Sequence, residues 1–64
     1  MLVQDADRAE AIYRKAIHSN PNHAYALYNL AVLLEEKAVA ADTLVGMDEV
    51  KRLLAAAVAA APGQ

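Results

Sequence analysis

Apolar residues recur at intervals of three and four along three segments of the chain, which is the spacing of amphipathic α-helices. The first segment, residues 5–20, carries Ala6, Ala9, Ile12, Tyr13, Ala16 and Ile17 at these positions. The second segment, residues 23–41, carries Ala24, Leu27, Tyr28, Leu30, Ala31 and Leu34. The third, residues 47–61, carries Val50, Leu53, Leu54, Ala57 and Val58. No stretch alternates apolar and polar residues for long enough to form a sheet, so we predict an all-α fold of three helices.

Proline, glycine and short polar residues mark the ends of these helices. Pro21 has no N–H and its ring clashes with the preceding turn, so it ends the first helix. Asn22 is the expected cap of the second helix, because its side-chain oxygen can accept a hydrogen bond from an N–H of the first turn. The connecting loop and the end of the third helix are predicted from Asp42, Thr43, Gly46, Pro62 and Gly63.

The first and third helices repeat one another. When Pro21 is superimposed on Pro62, the paired positions are Ala9 with Val50, Ile12 with Leu53, Tyr13 with Leu54, Ala16 with Ala57, and Ile17 with Val58. Self-similarity of this kind is typical of repeat architectures, in which one helical unit recurs along the chain.

The residues around Pro21 resemble a tetratricopeptide repeat. The spacing Ala9-x3-Tyr13-x2-Ala16-x4-Pro21 is similar to the second helix of that repeat, with its pattern A-x3-F, a small residue and P. The spacing Leu27-x2-Leu30-Ala31-x2-Leu34 is similar to the first-helix pattern W-x2-L-G-x2-Y, with Leu for Trp, Ala for Gly and Leu for Tyr. The chain therefore resembles about one and a half repeats, over most of its length.

Two features depart from the family pattern. The two prolines, Pro21 and Pro62, are separated by about seven residues more than the family period of about 34. A longer second helix or a larger second loop is expected to absorb the difference. The chain also opens at the end of a repeat, so the first helix lacks the helix that would pair with it.

The resemblance implies antiparallel helical hairpins, a fragment of the α-α superhelix formed by such repeats. It implies a repeat core of Ala9, Tyr13, Ala16, Leu27, Leu30, Ala31, Leu34, Val50, Leu54 and Ala57. It also implies a groove, on the inner face of the second helix, that receives a protein or peptide through Tyr25, Tyr28, Asn29, Val32 and Glu35. The alternative for Tyr28 is that it stacks on a neighbouring repeat. Because the second helix has no basic residue before Lys37, a neutral or basic partner is expected rather than an acidic peptide tail.

Composition and charge exclude several other functions. A formal charge of −2 and the absence of cysteine argue against nucleic acid, anionic membranes, disulfides and thiolate metal sites. The alanine-rich run at residues 53–64 is too short to cross a bilayer, so we expect a soluble protein. His18 and His23 lack further ligands, Ser19 lacks a catalytic base with its orienting acid, and the glycines stand alone. We therefore expect no catalytic residue, no cofactor and no metal.

The functional hypothesis is a protein-interaction or scaffolding module. Because about three stacked repeats are normally needed for stability, we also expect the chain to belong to a longer protein or larger complex, or to self-associate through the open face of the first helix. The main alternative is an alanine-rich structural segment for homo-oligomer assembly. Ala55, Ala56, Ala59 and Ala60 put no charge on the outer face of the third helix, so another copy could pack closely against it. A third possibility is a regulatory appendage of an enzyme encoded elsewhere.

Overall fold

The computed structural model describes residues 3–61, with side chains from Asp5 onwards. This range contains three helices, α1 (Val3–Ser19), α2 (Ala24–Ala40) and α3 (Met47–Ala60), and no strand. The helices begin and end within two residues of the bounds predicted from the sequence. The predicted stop at Pro62 and Gly63 lies outside the described residues.

The central element of the fold is α2, which packs against α1 on one side and α3 on the other. Leu30 and Ala31 lie at the middle of this arrangement, and Ala31 has no exposed surface. Because α2 has neighbours on two sides, burial extends beyond one stripe and includes Ala26, Leu33 and Ala38, which the apolar pattern did not single out. The three helices form antiparallel hairpins connected by short loops.

The residues predicted to form the repeat core divide into two groups. Five are buried, namely Leu27, Leu30, Ala31, Val50 and Ala57. Five are half-buried, namely Ala9, Tyr13, Ala16, Leu34 and Leu54. Three residues of the predicted apolar stripes, Ile12, Tyr28 and Val58, are instead exposed. Ile12 and Val58 lie at the flanks of helices that have a helical neighbour on one side alone within the described residues, and Tyr28 lies on the side of α2 that neither α1 nor α3 covers.

The joint between α1 and α2 is a tight turn in which the capping roles differ from the prediction. The His23 N–H donates to the Asn20 carbonyl oxygen at 3.0 Å and closes a turn with Pro21 at its second position. Asn20, rather than Asn22, uses its side chain: its Oδ1 accepts from the Asn22 N–H at 3.1 Å. The cap of α2 is His23, whose Nδ1 accepts from the Ala26 N–H at 3.2 Å. Asn22 was the wrong candidate because the turn places it one residue too early.

The loop between α2 and α3 begins with a Schellman motif. The Thr43 N–H donates to the Ala38 carbonyl at 3.0 Å, and the Asp42 N–H donates to the Val39 carbonyl at 3.1 Å. This arrangement needs a left-handed residue between the helix and Thr43, and Asp42 occupies that position with φ 53°. Aspartate tolerates this conformation better than most residues, but glycine adopts it without a steric penalty.

The same loop ends with a second hydrogen-bonded turn. The Met47 N–H donates to the Leu44 carbonyl at 3.2 Å, and Gly46 has φ 90° at the third position, as a type II turn requires. The Thr43 hydroxyl oxygen accepts from the Val45 N–H at 3.1 Å. These hydrogen bonds give the backbone of residues 41–46 a defined conformation.

We predict that Asp42→Gly stabilises the protein. Relief of the left-handed strain gains about 1–2 kcal/mol, and the added freedom of the unfolded chain costs about 0.5–1 kcal/mol. The expected net gain in the free energy of unfolding is therefore about 0.5–1 kcal/mol, measured by urea unfolding followed by circular dichroism. Asp42→Ala serves as the control and should lower the stability. Equal destabilisation by both substitutions would contradict the assigned role of Asp42.

Candidate functional site

One face of α2 is left uncovered by α1 and α3. Its residues follow the three-four spacing of a helix and are Tyr25, Tyr28, Val32, Glu35 and Val39, which we call the exposed face of α2. Tyr25 is 68% exposed and Tyr28 is 55% exposed, so both rings lie largely in solvent. Four of these five positions were predicted from the sequence, and the structure places them on one side of one helix.

Asn29 was also predicted to contact a partner, and the structure gives its amide a local role. Its Nδ2 donates to the Tyr25 carbonyl oxygen at 2.7 Å, and the residue is half-buried beside the exposed face. The Tyr25 ring lies next to the His23 ring, with centroids 6.4 Å apart and the planes tilted by 48°. Asn29 and His23 thus contact the first turn of α2 from which Tyr25 projects.

The exposed face of α2 carries no cation. Glu35 and Glu36 are exposed, whereas Lys37 is drawn towards α1. The Lys37 Nζ donates to Asp7 Oδ1 at 2.9 Å and to Glu10 Oε1 at 2.8 Å. The only basic residue of α2 therefore forms ion pairs with α1. The exposed face of α2 presents aromatic, aliphatic and acidic groups.

Lys37 belongs to a network of ion pairs that connects all three helices. Arg14 lies at its centre: its Nε donates to Glu10 Oε2 at 2.8 Å, and its Nη1 and Nη2 donate to the two Glu49 oxygens at 3.0 and 3.2 Å. The bidentate geometry on Glu49 is the arrangement that favours arginine over lysine. The network joins α1 to α2 through Lys37 and α1 to α3 through Arg14.

The network favours the charged forms of Glu10, Glu49 and Lys37 by shifting their pKa values. Hydrogen bonds from Lys37 and then Arg14 lower the pKa of Glu10 below its ordinary value. The hydrogen bonds from Arg14 lower the pKa of Glu49, and the bonds to Glu10 and Asp7 raise the pKa of Lys37. All of these groups are partly exposed, so solvent screening limits their contribution to stability.

Beneath the Arg14–Glu49 pair lies an open cleft of about 300 Å³ between α1 and α3. Its lining residues are Arg14, Ile17, His18, Leu30, Glu49 and Leu53. The floor is apolar and the two charged groups at its rim already satisfy one another. The cleft therefore presents no unpaired charge of its own to orient a polar ligand.

Between Val3 and Ala61, no group of three or more histidine, cysteine or acidic side chains is arranged to hold a metal ion. His18 lies at the cleft and His23 caps α2, so the two have separate surroundings. No helix in this range combines the length and the apolar character needed to cross a bilayer.

A comparison with protein-family models identifies the repeat. Residues 12–44, about half of the chain, match the model described as tetratricopeptide repeat. The chain belongs to the tetratricopeptide repeat family. The matched segment covers the second half of α1, the turn at Pro21, all of α2 and the first residues of the next loop. Comparisons with curated proteins and with solved structures find no match.

The tetratricopeptide arrangement accommodates its extra residues around the end of α2. That helix continues to Ala40, and the loop of residues 41–46 separates it from α3. The matched segment ends at Leu44, inside this loop. The extra length therefore lies at a structured and partly apolar connection, and α1 and α3 both remain packed against α2.

Val39 and the pairing of charges between helices were not predicted from the sequence. Val39 follows Glu35 by four residues, so the helical period could have found it once α2 was known to reach Ala40. Glu10 and Arg14 lie four residues apart on one helix, a spacing at which oppositely charged side chains can pair and which is visible in the sequence. Pairs separated by about thirty residues, such as Lys37 with Asp7, leave no local signal and depend on how the helices pack.

We predict that Glu49→Gln makes stability less sensitive to acid. A carboxyl group whose pKa is lowered on folding contributes stability above its ordinary value of 4.5, and this contribution is lost as the pH falls through the folded-state pKa. The free energy of unfolding should fall between about pH 6 and pH 3, and less steeply in the variant. At neutral pH the variant should cost at most about 1 kcal/mol.

The measurement is urea unfolding at a series of pH values, followed by circular dichroism. Glu36→Gln is the matched control, because this residue forms no ion pair within the described residues. The control should keep the wild-type pH profile. Profiles that coincide for wild type and Glu49→Gln would show that the Arg14–Glu49 pair contributes nothing in solution.

Proposed function

We propose that this protein is a protein-interaction or scaffolding module that binds a protein or peptide along the exposed face of α2. The tetratricopeptide family generally consists of non-catalytic repeats that bind proteins, which supports the general class. The exposure of Tyr25 and Tyr28, one turn apart on the same face, is the observation that supports this surface in particular.

The chemistry of this face suits a binding surface. Tyrosine offers a broad apolar ring together with a hydroxyl group that can form a hydrogen bond, and it is enriched in protein interfaces. Two tyrosines and two valines on one helix present an apolar stripe that no other element covers within the described residues. The α2 backbone is held on two sides, so a partner would meet a surface that is already ordered.

The charge of the face favours a neutral or basic partner. Glu35 lies on this face and Glu36 is exposed beside it, while Lys37 is neutralised by Asp7 and Glu10 on α1. An acidic peptide would meet carboxylates without a compensating cation, whereas a segment with lysine or arginine beside apolar residues would be attracted. This charge pattern supports the choice of partner made from the sequence.

We predict that substituting both Tyr25 and Tyr28 by Ala weakens peptide binding at least about tenfold, because exposed tyrosines in the centre of an interface are frequent energetic hot spots. Peptides are first selected from a random library against the full chain and then titrated by fluorescence anisotropy. The selected sequences should be rich in Lys, Arg and apolar residues. A peptide with an acidic carboxyl terminus should bind more weakly.

The control for this experiment is Ile12→Ala, which removes an exposed apolar side chain from a different helix. Its affinity for the selected peptides should stay within about twofold of wild type. The proposal fails if Ile12→Ala weakens binding while the tyrosine variant does not, or if the acidic peptide binds best.

A second candidate function is assembly with further copies of the chain through the open face of α1. Ile12 is 65% exposed, although it lies between the half-buried Ala9 and Ala16 on that helix. An isoleucine left in solvent on a face of small residues is a site where burial against another helix would be favourable. The exposed Val58 and its neighbouring alanines Ala55, Ala56 and Ala59 give α3 a second smooth surface.

We predict that the wild-type chain self-associates reversibly in sedimentation equilibrium, and that Ile12→Ser weakens this association at least about fivefold through loss of buried apolar area. Tyr28→Ala is the reciprocal control and should leave self-association unchanged. A wild-type chain that remains monomeric at about 0.5 mM would exclude this candidate, since that concentration exceeds the dissociation constant of ordinary weak complexes.

A further inference from the structure

The open face of α1 combines an apolar centre with a basic border. Ile12 has Arg8 four residues before it and Lys15 three residues after it, and all three are exposed. Residues at these intervals are neighbours on a helix surface, with their Cβ atoms about 5–6 Å apart. Neither Arg8 nor Lys15 forms an ion pair within residues 3–61. We call Arg8, Ile12 and Lys15 the basic patch; Asp5 lies on the same side, two turns from Ile12.

The loop after α2 presents the opposite combination. Leu44 is 85% exposed and Val45 is 81% exposed, which is unusual for adjacent large apolar residues. Asp42 precedes them by two residues and Asp48 follows Val45 by three, and both carboxylates are exposed. Neither is paired in the part of the chain that the structure describes. We call Asp42, Leu44, Val45 and Asp48 the acidic patch.

The acidic patch owes its exposure to the backbone of the loop. The bond from the Val45 N–H to the Thr43 hydroxyl oxygen and the turn closed by Met47 fix the residues on both sides of Leu44 and Val45. The side chains are therefore displayed on an ordered backbone. A surface held in this way loses little conformational freedom when it binds.

We propose that the basic patch of one copy binds the acidic patch of a second copy. The inference rests on the second candidate of the proposed function, and it names the surface that covers the open face of α1. Two cations flank one isoleucine on one side of the contact, and two carboxylates flank a leucine and a valine on the other. Both patches are exposed in a single copy, so they do not cover one another within that copy. Charge complementarity around an apolar centre selects this pairing over contacts between like patches.

The test is a reciprocal exchange of charge. One variant carries Arg8→Glu and Lys15→Glu, so both of its patches are acidic. The other carries Asp42→Asn and Asp48→Lys, where asparagine is chosen because it tolerates the left-handed backbone of residue 42. Self-association is measured by sedimentation equilibrium at low salt, after circular dichroism has shown that each variant is folded.

Each variant alone should self-associate at least about tenfold more weakly than wild type, because like charges then face one another. An equimolar mixture should regain association to within about threefold of wild type, because each variant supplies what the other lacks. The control Asn22→Glu, Tyr25→Glu, Tyr28→Glu and Val32→Glu makes the same change in net charge at exposed positions outside both patches. It should stay within about twofold of wild type.

Three results would overturn the inference. The first is a loss of association in the control as large as in the α1 charge variant, because the effect would then reflect net charge alone. The second is a mixture that does not regain association, because unlike patches would then not pair. The third separates the loop from α1. Association that is lost in Ile12→Ser but unchanged in Leu44→Ser and in the loop charge variant would leave assembly through α1 intact and exclude the loop as its acceptor.

Discussion

The structure depends on the burial of one helix between two others. Leu30 and Ala31 of α2 are enclosed because α1 and α3 approach from different sides, and the small side chain of Ala31 leaves room for that approach. A larger residue there would separate the helices and lose contacts across the whole core. The exposed face with its two tyrosines is the side of α2 that neither α1 nor α3 covers. The binding surface is therefore a consequence of the packing.

The charged side chains of the described residues fall into two groups, those that pair between helices and those that remain unpaired on the surface. Arg14 and Lys37 cross from one helix to another and satisfy Glu10, Glu49 and Asp7. Their individual contributions to stability are small because they are partly exposed. Their larger effect is on the surface charge of α2. Glu35 and Glu36 stay exposed, whereas the charge of Lys37 is neutralised by α1. A formal charge of −2 thus conceals surfaces of distinct sign.

The two connections show how different turns serve different purposes. At Pro21 the chain reverses in a few residues, with Asn20 and His23 satisfying the backbone groups between the helices. The second connection is longer, yet its backbone is fixed by a left-handed Asp42 and a positive φ at Gly46. The loop of this tetratricopeptide chain consequently holds Leu44 and Val45 exposed on an ordered backbone.

The sequence by itself determined the three helices, their ends to within two residues and the family, because helical periodicity and the Pro21 joint are local patterns. The resemblance to the tetratricopeptide family also implied most of the residues on the exposed face of α2, among them Tyr25, Tyr28 and Val32. Only the tertiary structure decided that Ile12 is exposed, that His23 is the cap of α2 and that Lys37 turns towards α1. A local pattern records which residues share a face of a helix. Whether that face is covered, and which distant charge it meets, depends on the number and position of neighbouring helices.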